Sequence, residues 1–301
     1  MSLLPARTPL LLISVCLLLA GQGGCQFGKR ESAVSPKTIV SRQLCRQGIA
    51  AMEHEEWEAA EPLLTKAVDV CPDDPDARFK LARLLWERNR PTEAVAQMTE
   101  VLKLAPEDIN FRIAYGEMQL AQGQVAEAEA SADFALDSEP KSPGAWALRG
   151  RVMRRKGQKQ MALSDLHRAQ GLAPEDPALP TEIAELYLAL GQPDRALATL
   201  QGLARRWSAP DQPAHVLALQ GQAYAGLGRH EDAAAKFAMA ATRGMHDAEN
   251  FYRLAESQLK SGRSHDAAVS AQHALSVDPQ HGPSRHLLAR LGIDTAGYVR
   301  R

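Results

Sequence analysis

The sequence predicts an all-α solenoid of about seven stacked helical hairpins followed by a capping helix. Alanine recurs every 34 residues at Ala60, Ala94, Ala128, Ala162 and Ala196, and then, after one step of 37, at Ala233 and Ala267. Proline keeps the interval at Pro72, Pro106, Pro140 and Pro174, and glycine at Gly123, Gly157, Gly191, Gly228 and Gly262. Three residue types locked to one period mark an array in which each unit is one supersecondary element. With 45% hydrophobic residues the 301-residue chain can bury a large core. Only 5% are aromatic, so close packing of helices through small side chains is expected. A net charge of −1 nominates neither nucleic acid nor an acidic partner.

Setting each proline third from the end of its unit gives units 41–74, 75–108, 109–142, 143–176, 177–213, 214–247 and 248–281, with 282–301 as capping helix and tail. At 100° per residue, positions 4, 7, 8 and 11 share one face of the first helix of a unit. Arg78, Leu81, Ala82 and Leu85 hold them in the second unit, and Phe251, Leu254, Ala255 and Gln258 in the seventh. A large residue beside a small one lets a second helix nest there. Position 15 is mostly Gly, which accepts the left-handed backbone that reverses the chain. The second helix presents Ala at position 20 and residues such as Leu64, Met98, Leu166, Leu200 and Phe237 at position 24. Proline at position 32 stops it.

Departures from the pattern carry their own expectations. Asn89 replaces the turn glycine and tolerates the same backbone. Pro91 and Pro193 fall at helix starts, where a missing amide costs little, whereas Pro62 lies deeper and predicts a kink. Arg205 to Gln212 absorbs the three extra residues and is the expected hinge or protruding loop. Arg149 and Gln220 at position 7, normally apolar, predict looser hairpins.

The fourth unit, with Trp146, Gly150, Gly157, Ala162, Leu166, Ala169 and Pro174, resembles the tetratricopeptide repeat, and the resemblance extends over Ser41 to His281. It implies a right-handed superhelix whose concave groove is lined by positions 2, 5, 9 and 12 of each first helix and grips a peptide or protein partner. Those positions hold Phe79, Arg83 and Trp86 in the second unit, Asn110, Ile113, Glu117 and Leu120 in the third, Arg151 and Arg154 in the fourth, and Thr181, Glu185 and Leu188 in the fifth. Aromatic anchors beside arginines are typical of binding hot spots. The alternative for Phe79 to Trp86 is packing against the linker or the preceding unit. The carboxylate clamp of chaperone-binding family members is not expected, because position 9 reads Ile49, Arg83, Glu117 and Arg151 with no Asn.

The N-terminus is built differently. Arg7, the apolar run Leu10 to Ala20 and the small-residue exit Gly21 to Cys25 form a secretory-type signal over residues 1–25. Gly23, Gly24 and Cys25 resemble the lipobox of bacterial lipoproteins, although Gln22 stands where that family favours an aliphatic residue. The resemblance implies lipidation of Cys25 and a membrane-anchored protein of the bacterial envelope facing the periplasm or exterior. A plain cleavable signal releasing a soluble protein is the alternative. Residues 26–40 read as a flexible linker. Cys45 and Cys71, at the two ends of the first unit, are either a disulfide in an oxidising compartment or two unpaired thiols.

No catalytic motif is present, and no cofactor or metal is expected. Seven of the nine histidines lie from His215 onward, but none pair at ligand spacing. The basic run Arg149, Arg151, Arg154, Arg155, Lys156 and Lys159 points in several helical directions, and aromatic stacking partners are sparse. It reads as a solvated face, or as a contact for an acidic peptide or anionic lipid, rather than a nucleic-acid site. The expected function is a non-catalytic, envelope-tethered scaffold, with units two to five as its chief binding face and envelope-complex assembly as its process. A regulatory or substrate-positioning subunit of an envelope polysaccharide or peptidoglycan enzyme is the alternative, and self-association through the array ends is a third reading.

Overall fold

The computed structural model describes residues 35–208 and 211–293. The signal-like segment, Cys25, most of the linker and the C-terminal tail lie outside the described residues. Within them the chain is all-helical. Seven antiparallel hairpins follow one another: α1 (Pro36–Glu53) with α2 (Trp57–Val70), α3 (Pro75–Glu87) with α4 (Pro91–Leu104), α5 (Ile109–Ala121) with α6 (Val125–Ser138), α7 (Pro143–Arg155) with α8 (Lys159–Leu172), α9 (Ala178–Ala189) with α10 (Pro193–Ala204), α11 (Ala214–Gly226) with α12 (His230–Thr242), and α13 (Ala248–Lys260) with α14 (Ser264–Val277). A short α15 (Gly282–Arg290) covers the last hairpin with Leu287 and Leu288 buried. Helix α1 starts at Pro36, so the last five residues of the segment read as linker are helical. Proline at the first position of that helix gives up an amide that no residue of the helix could have bonded.

Period and geometry meet at the helix starts. The residue closing one unit caps the next: the Asp74 carboxylate accepts from the Asp76 amide at 3.1 Å, Asp108 from Asn110 at 2.8 Å, the Ser142 hydroxyl from Ala145 at 3.4 Å and Asp247 from Asn250 at 2.8 Å. Each satisfies an amide that the helix leaves without a partner. Position 4 then returns to the preceding turn. Arg78 donates to the Pro72 carbonyl at 2.9 Å, Trp146 to Pro140 at 2.8 Å, and Arg285 to Pro279 at 3.0 Å. Thus the periodic proline that ends one hairpin is tied to the helix that begins the next.

Inside a hairpin, small residues set the spacing. A Cβ at Gly150 would lie 2.9 Å from Leu166 Cγ, and one at Gly221 2.8 Å from the Phe237 ring. The hairpin reversals at Gly123, Gly157, Gly191, Gly228 and Gly262 have positive φ, Asn89 adopts φ 57°, and Glu55 takes the same role in the first unit at φ 59°.

Two expectations change here. Arg149 does not loosen its hairpin: its guanidinium lies 4.3 Å from the Trp146 ring and bonds Asp165 at 2.7 and 2.9 Å, while Gly150 keeps α7 and α8 close. Gln220 is 3% exposed and its Oε1 has no hydrogen-bond partner. The cost of a polar residue at that position therefore falls on an unmade hydrogen bond. Pro62 lies inside α2 without ending it.

The interruption after α10 is no break in the core either. Leu203 of α10 and Val216, Leu219 and Ala223 of α11 belong to one buried cluster that runs back to Leu120, and Trp207 packs against it. Arg206 binds the Glu175 carbonyl at 2.8 Å and also the Pro174 carbonyl. Arg206 thus takes the place that position 4 fills in other units, since position 4 of the fifth unit is Pro180, which carries no donor. Cys45 and Cys71 are half-buried and unpaired, and burial, with Asp74 nearby, pushes the Cys45 thiol above its ordinary range.

Candidate functional site on the inner helices

Contacts between alternate helices run through the odd-numbered series, with α1 against α3, α5 against α7, and α9 against α11. The first helices of the hairpins therefore form the tighter, inner layer of the stack. Their outward positions 5, 9 and 12 line its surface.

Two clefts open there at the N-terminal end. One of about 490 Å³ lies between α3 and α5 and is walled by Phe79, Arg83, Trp86, Ala114, Glu117 and Met118. A second, of about 250 Å³, lies between α1 and α3 and is lined by Ile49, Met52, Glu53, Trp57, Lys80 and Arg83. Arg83 and Glu87 belong to both, so the two clefts form one run across three units. Phe79 is half-buried with its ring centroid 5.2 Å from that of Phe111, in the following unit. Trp86 likewise packs part of its surface on the N-terminal core. Each aromatic thus has one side in the core and another in the cleft. Arg83 is exposed and forms no ion pair or hydrogen bond among the described residues.

The same stripe is filled by its own charges in the middle units. Arg151 reaches back to Glu117 at 2.5 Å and forward to Glu182 at 2.6 Å, joining α5, α7 and α9. Burial opposes the Arg151 charge, but hydrogen bonds to Glu182 and the field of Glu117 outweigh it, and the guanidinium is held more firmly protonated than usual. Arg154 pairs with Glu185 at 2.9 Å. Ile113 sits beside Gly144 of α7, and Asn110 is exposed at the start of α5. Phe79, Arg83, Trp86 and Glu117 are therefore brought together at one cleft, whereas Arg151, Arg154 and Glu185 form an ion-paired ladder further along.

Most of the basic run is neutralised in the same way. Arg149 is bound to Asp165, Arg151 and Arg154 are paired as above, Lys156 meets Glu129 at 2.8 Å, and Lys159 donates to the Ala189 carbonyl at 3.0 Å. A sequence count of cations cannot show this, because the partners lie 16 to 34 residues away. Sequence reasoning also stops short of Met52, Trp57 and Met118; extending the position-12 stripe into the first unit would have found Met52. Among the described residues no group of three or more His, Cys, Asp or Glu is arranged to hold a metal ion.

Comparison with known proteins agrees with this architecture. Tetratricopeptide repeat family models match residues 45–109 and 181–248, and 85–152, together more than half of the sequence. The chain belongs to the tetratricopeptide repeat family. It is 35% identical over 75 residues to tetratricopeptide repeat protein 36 of Caenorhabditis elegans, a stretch that is 25% of this chain and 42% of that protein. The chain thus spans less than half the length of this relative. Among solved structures it resembles a chain of the APC/C Cut9–Hcn1 hetero-tetramer, with TM-score 0.69, 17% identity, and coverage of 84% of this chain and 48% of that one. It also resembles PilW, described as a widely conserved type IV pilus biogenesis factor, with TM-score 0.60, 20% identity, and coverage of 67% and 93%. At these identities the likeness is one of fold.

Proposed function

We propose that this protein is a non-catalytic interaction scaffold, tethered to the bacterial envelope through Cys25, which holds an extended segment of a protein partner in the inner groove of its first three units. The observation that carries the reading is Arg83. It forms no ion pair or hydrogen bond among the described residues, and it stands between two clefts whose walls include Ile49, Met52, Phe79, Trp86 and Met118. A partner segment that places large apolar side chains in the two clefts and an acceptor on Arg83 would bury both kinds of surface at once. The envelope setting is supported by the signal-like run ending at Cys25. The fold likeness to a pilus biogenesis factor is compatible with a role in assembling an envelope complex.

The test is crosslinking in native envelopes followed by recovery of the retained partner. Joint substitution Phe79→Ala and Arg83→Ala lowers that recovery by roughly tenfold or more, the loss expected when a hot-spot pair is truncated. Unchanged recovery contradicts the reading. For the tether, a fatty-acid label is expected on the wild-type chain and absent from Cys25→Ala.

A further inference from the structure

Trp57 opens α2 at a position that the other second helices give to Pro91, Val125, Lys159, Pro193, His230 and Ser264, so the hairpin itself does not call for a tryptophan there. It is half-buried, yet among the described residues it packs on none of the core clusters, unlike Phe79, Trp86 and Trp207. Instead it walls two clefts, the one of about 250 Å³ between α1 and α3 and another of about 450 Å³ over the turn from α1 to α2. Glu55, Glu56 and Glu58 line the larger cleft with it, and Glu53 and Glu87 the smaller. All five carboxylates are exposed, and none forms an ion pair or a side-chain hydrogen bond among the described residues. The neighbouring Arg88 and Arg90 do not balance them, because both are bound to Glu61. Glu56 and Glu58 stand at the start of α2, where the helix dipole favours a carboxylate. Glu53 and Glu87 are the last residues of α1 and α3, where it disfavours one, and neither last turn holds a cation. Later first helices are built the other way, α7 ending in Arg154 and Arg155 and α13 in Lys260.

We infer that the partner segment carries a basic stretch, and that the clefts around Trp57 seat it with a lysine or arginine over the indole ring. The inference rests on the inner run as the partner's seat and adds the chemistry of that partner. Charge along the groove is ordered. Lys80 and Arg83 precede Glu87 on α3 by seven and four residues, roughly 10 Å and 6 Å along the helix axis. A segment that meets Arg83 with an acceptor therefore leaves the cations behind as it runs toward the ends of α1 and α3, where carboxylates surround it. There the Trp57 face attracts a cation more strongly than a tyrosine or phenylalanine face could. Ile49 and Met52, in the same cleft, offer an apolar bed for the methylene stem of a lysine or arginine. A basic stretch also supplies the counter-charge that Glu53 and Glu87 lack at their helix ends, while a segment acidic throughout is repelled.

The experiment titrates the full chain with a short fluorescent peptide of alternating lysine and alanine, and with its glutamate–alanine counterpart, read by anisotropy. The lysine peptide is expected to bind and the glutamate peptide to fail. Glu53→Gln with Glu87→Gln weakens binding by about tenfold or more, as does Trp57→Ala, whereas Trp57→Tyr keeps most of it. Glu107→Gln with Asp137→Asn removes the same charge from exposed, unpaired carboxylates away from the groove and leaves binding unchanged. Circular dichroism is expected to stay at the wild-type level throughout, because the glutamates are exposed and Trp57 packs on no core cluster. Equal binding of the two peptides, or a loss in the Glu53/Glu87 pair no greater than in the control pair, overturns the inference. So does binding tightened by about tenfold when Phe27, Lys29 and Arg30 are replaced by serine, which would make this chain's own segment the occupant. In native envelopes, partner recovery that falls with Phe79→Ala/Arg83→Ala but not with Glu53→Gln/Glu87→Gln overturns the basic stretch and leaves the groove as the seat. Recovery insensitive to both removes the groove reading as well.

Discussion

Glu55 occupies the reversal of the first hairpin with φ 59°, a conformation that the later units give mostly to glycine. A side chain with a Cβ costs about 1–2 kcal/mol there. Glu55→Gly relieves that cost, less the greater freedom that glycine gives the unfolded chain, and should stabilise the protein by about 0.5–1 kcal/mol. Thermal unfolding reads this as a raised midpoint, and a lowered one would mean that the Glu55 side chain makes a contact of greater worth. Single residues also show where sequence reading stops. That Arg83 and Arg151 share position 9 is plain from the period. That Arg83 is unpaired while Arg151 is bound by two carboxylates depends on Glu117 and Glu182, which lie on different helices.

At the level of elements, the sequence pattern is legible wherever a local rule decides the outcome. Prolines at helix ends, glycines at reversals and the Asp or Ser before α3, α5, α7 and α13 act over a few residues, and they appear in the structure as stops, positive-φ turns and caps. The segment Arg205 to Gln212 reads as a hinge in the sequence because it breaks those local rules. Its first residues are held by long-range contacts: Trp207 on the core and Arg206 on the carbonyls of the turn one unit back. Arg206→Ala should therefore free what the sequence alone suggests is free already. Amide exchange in residues 203–208 is expected to rise, with a loss of about 1–2 kcal/mol in stability from the two bonds to a charged donor. Exchange equal to wild type would show that the core contact of Trp207 suffices.

The whole molecule behaves as a chain of neighbours, each hairpin burying its faces only on the next. In that geometry the three-residue insertion could divide the array into two bodies, but the buried cluster continues from α10 through Leu203 into α11 at Val216, Leu219 and Ala223. Leu203→Ala is accordingly expected to cost about 2–5 kcal/mol. The loss should appear as raised amide exchange on both sides of the insertion, in α9 and α11 together. A change confined to α10 would contradict a continuous core.

The central claim is that the inner run across α1, α3 and α5, and not the outer layer, holds the partner. A photoreactive amino acid placed in turn at Phe79, Arg83 and Met52 inside the run, and at Met161 and Val269 on the exposed second helices, tests it directly in native envelopes. One partner species crosslinked from the three inner positions, absent from the two outer ones, and lost from position 79 when Arg83→Glu is added, is the predicted result. Crosslinks from Met161 or Val269 with none from Phe79 would place the binding surface on the other side of the solenoid and contradict the account.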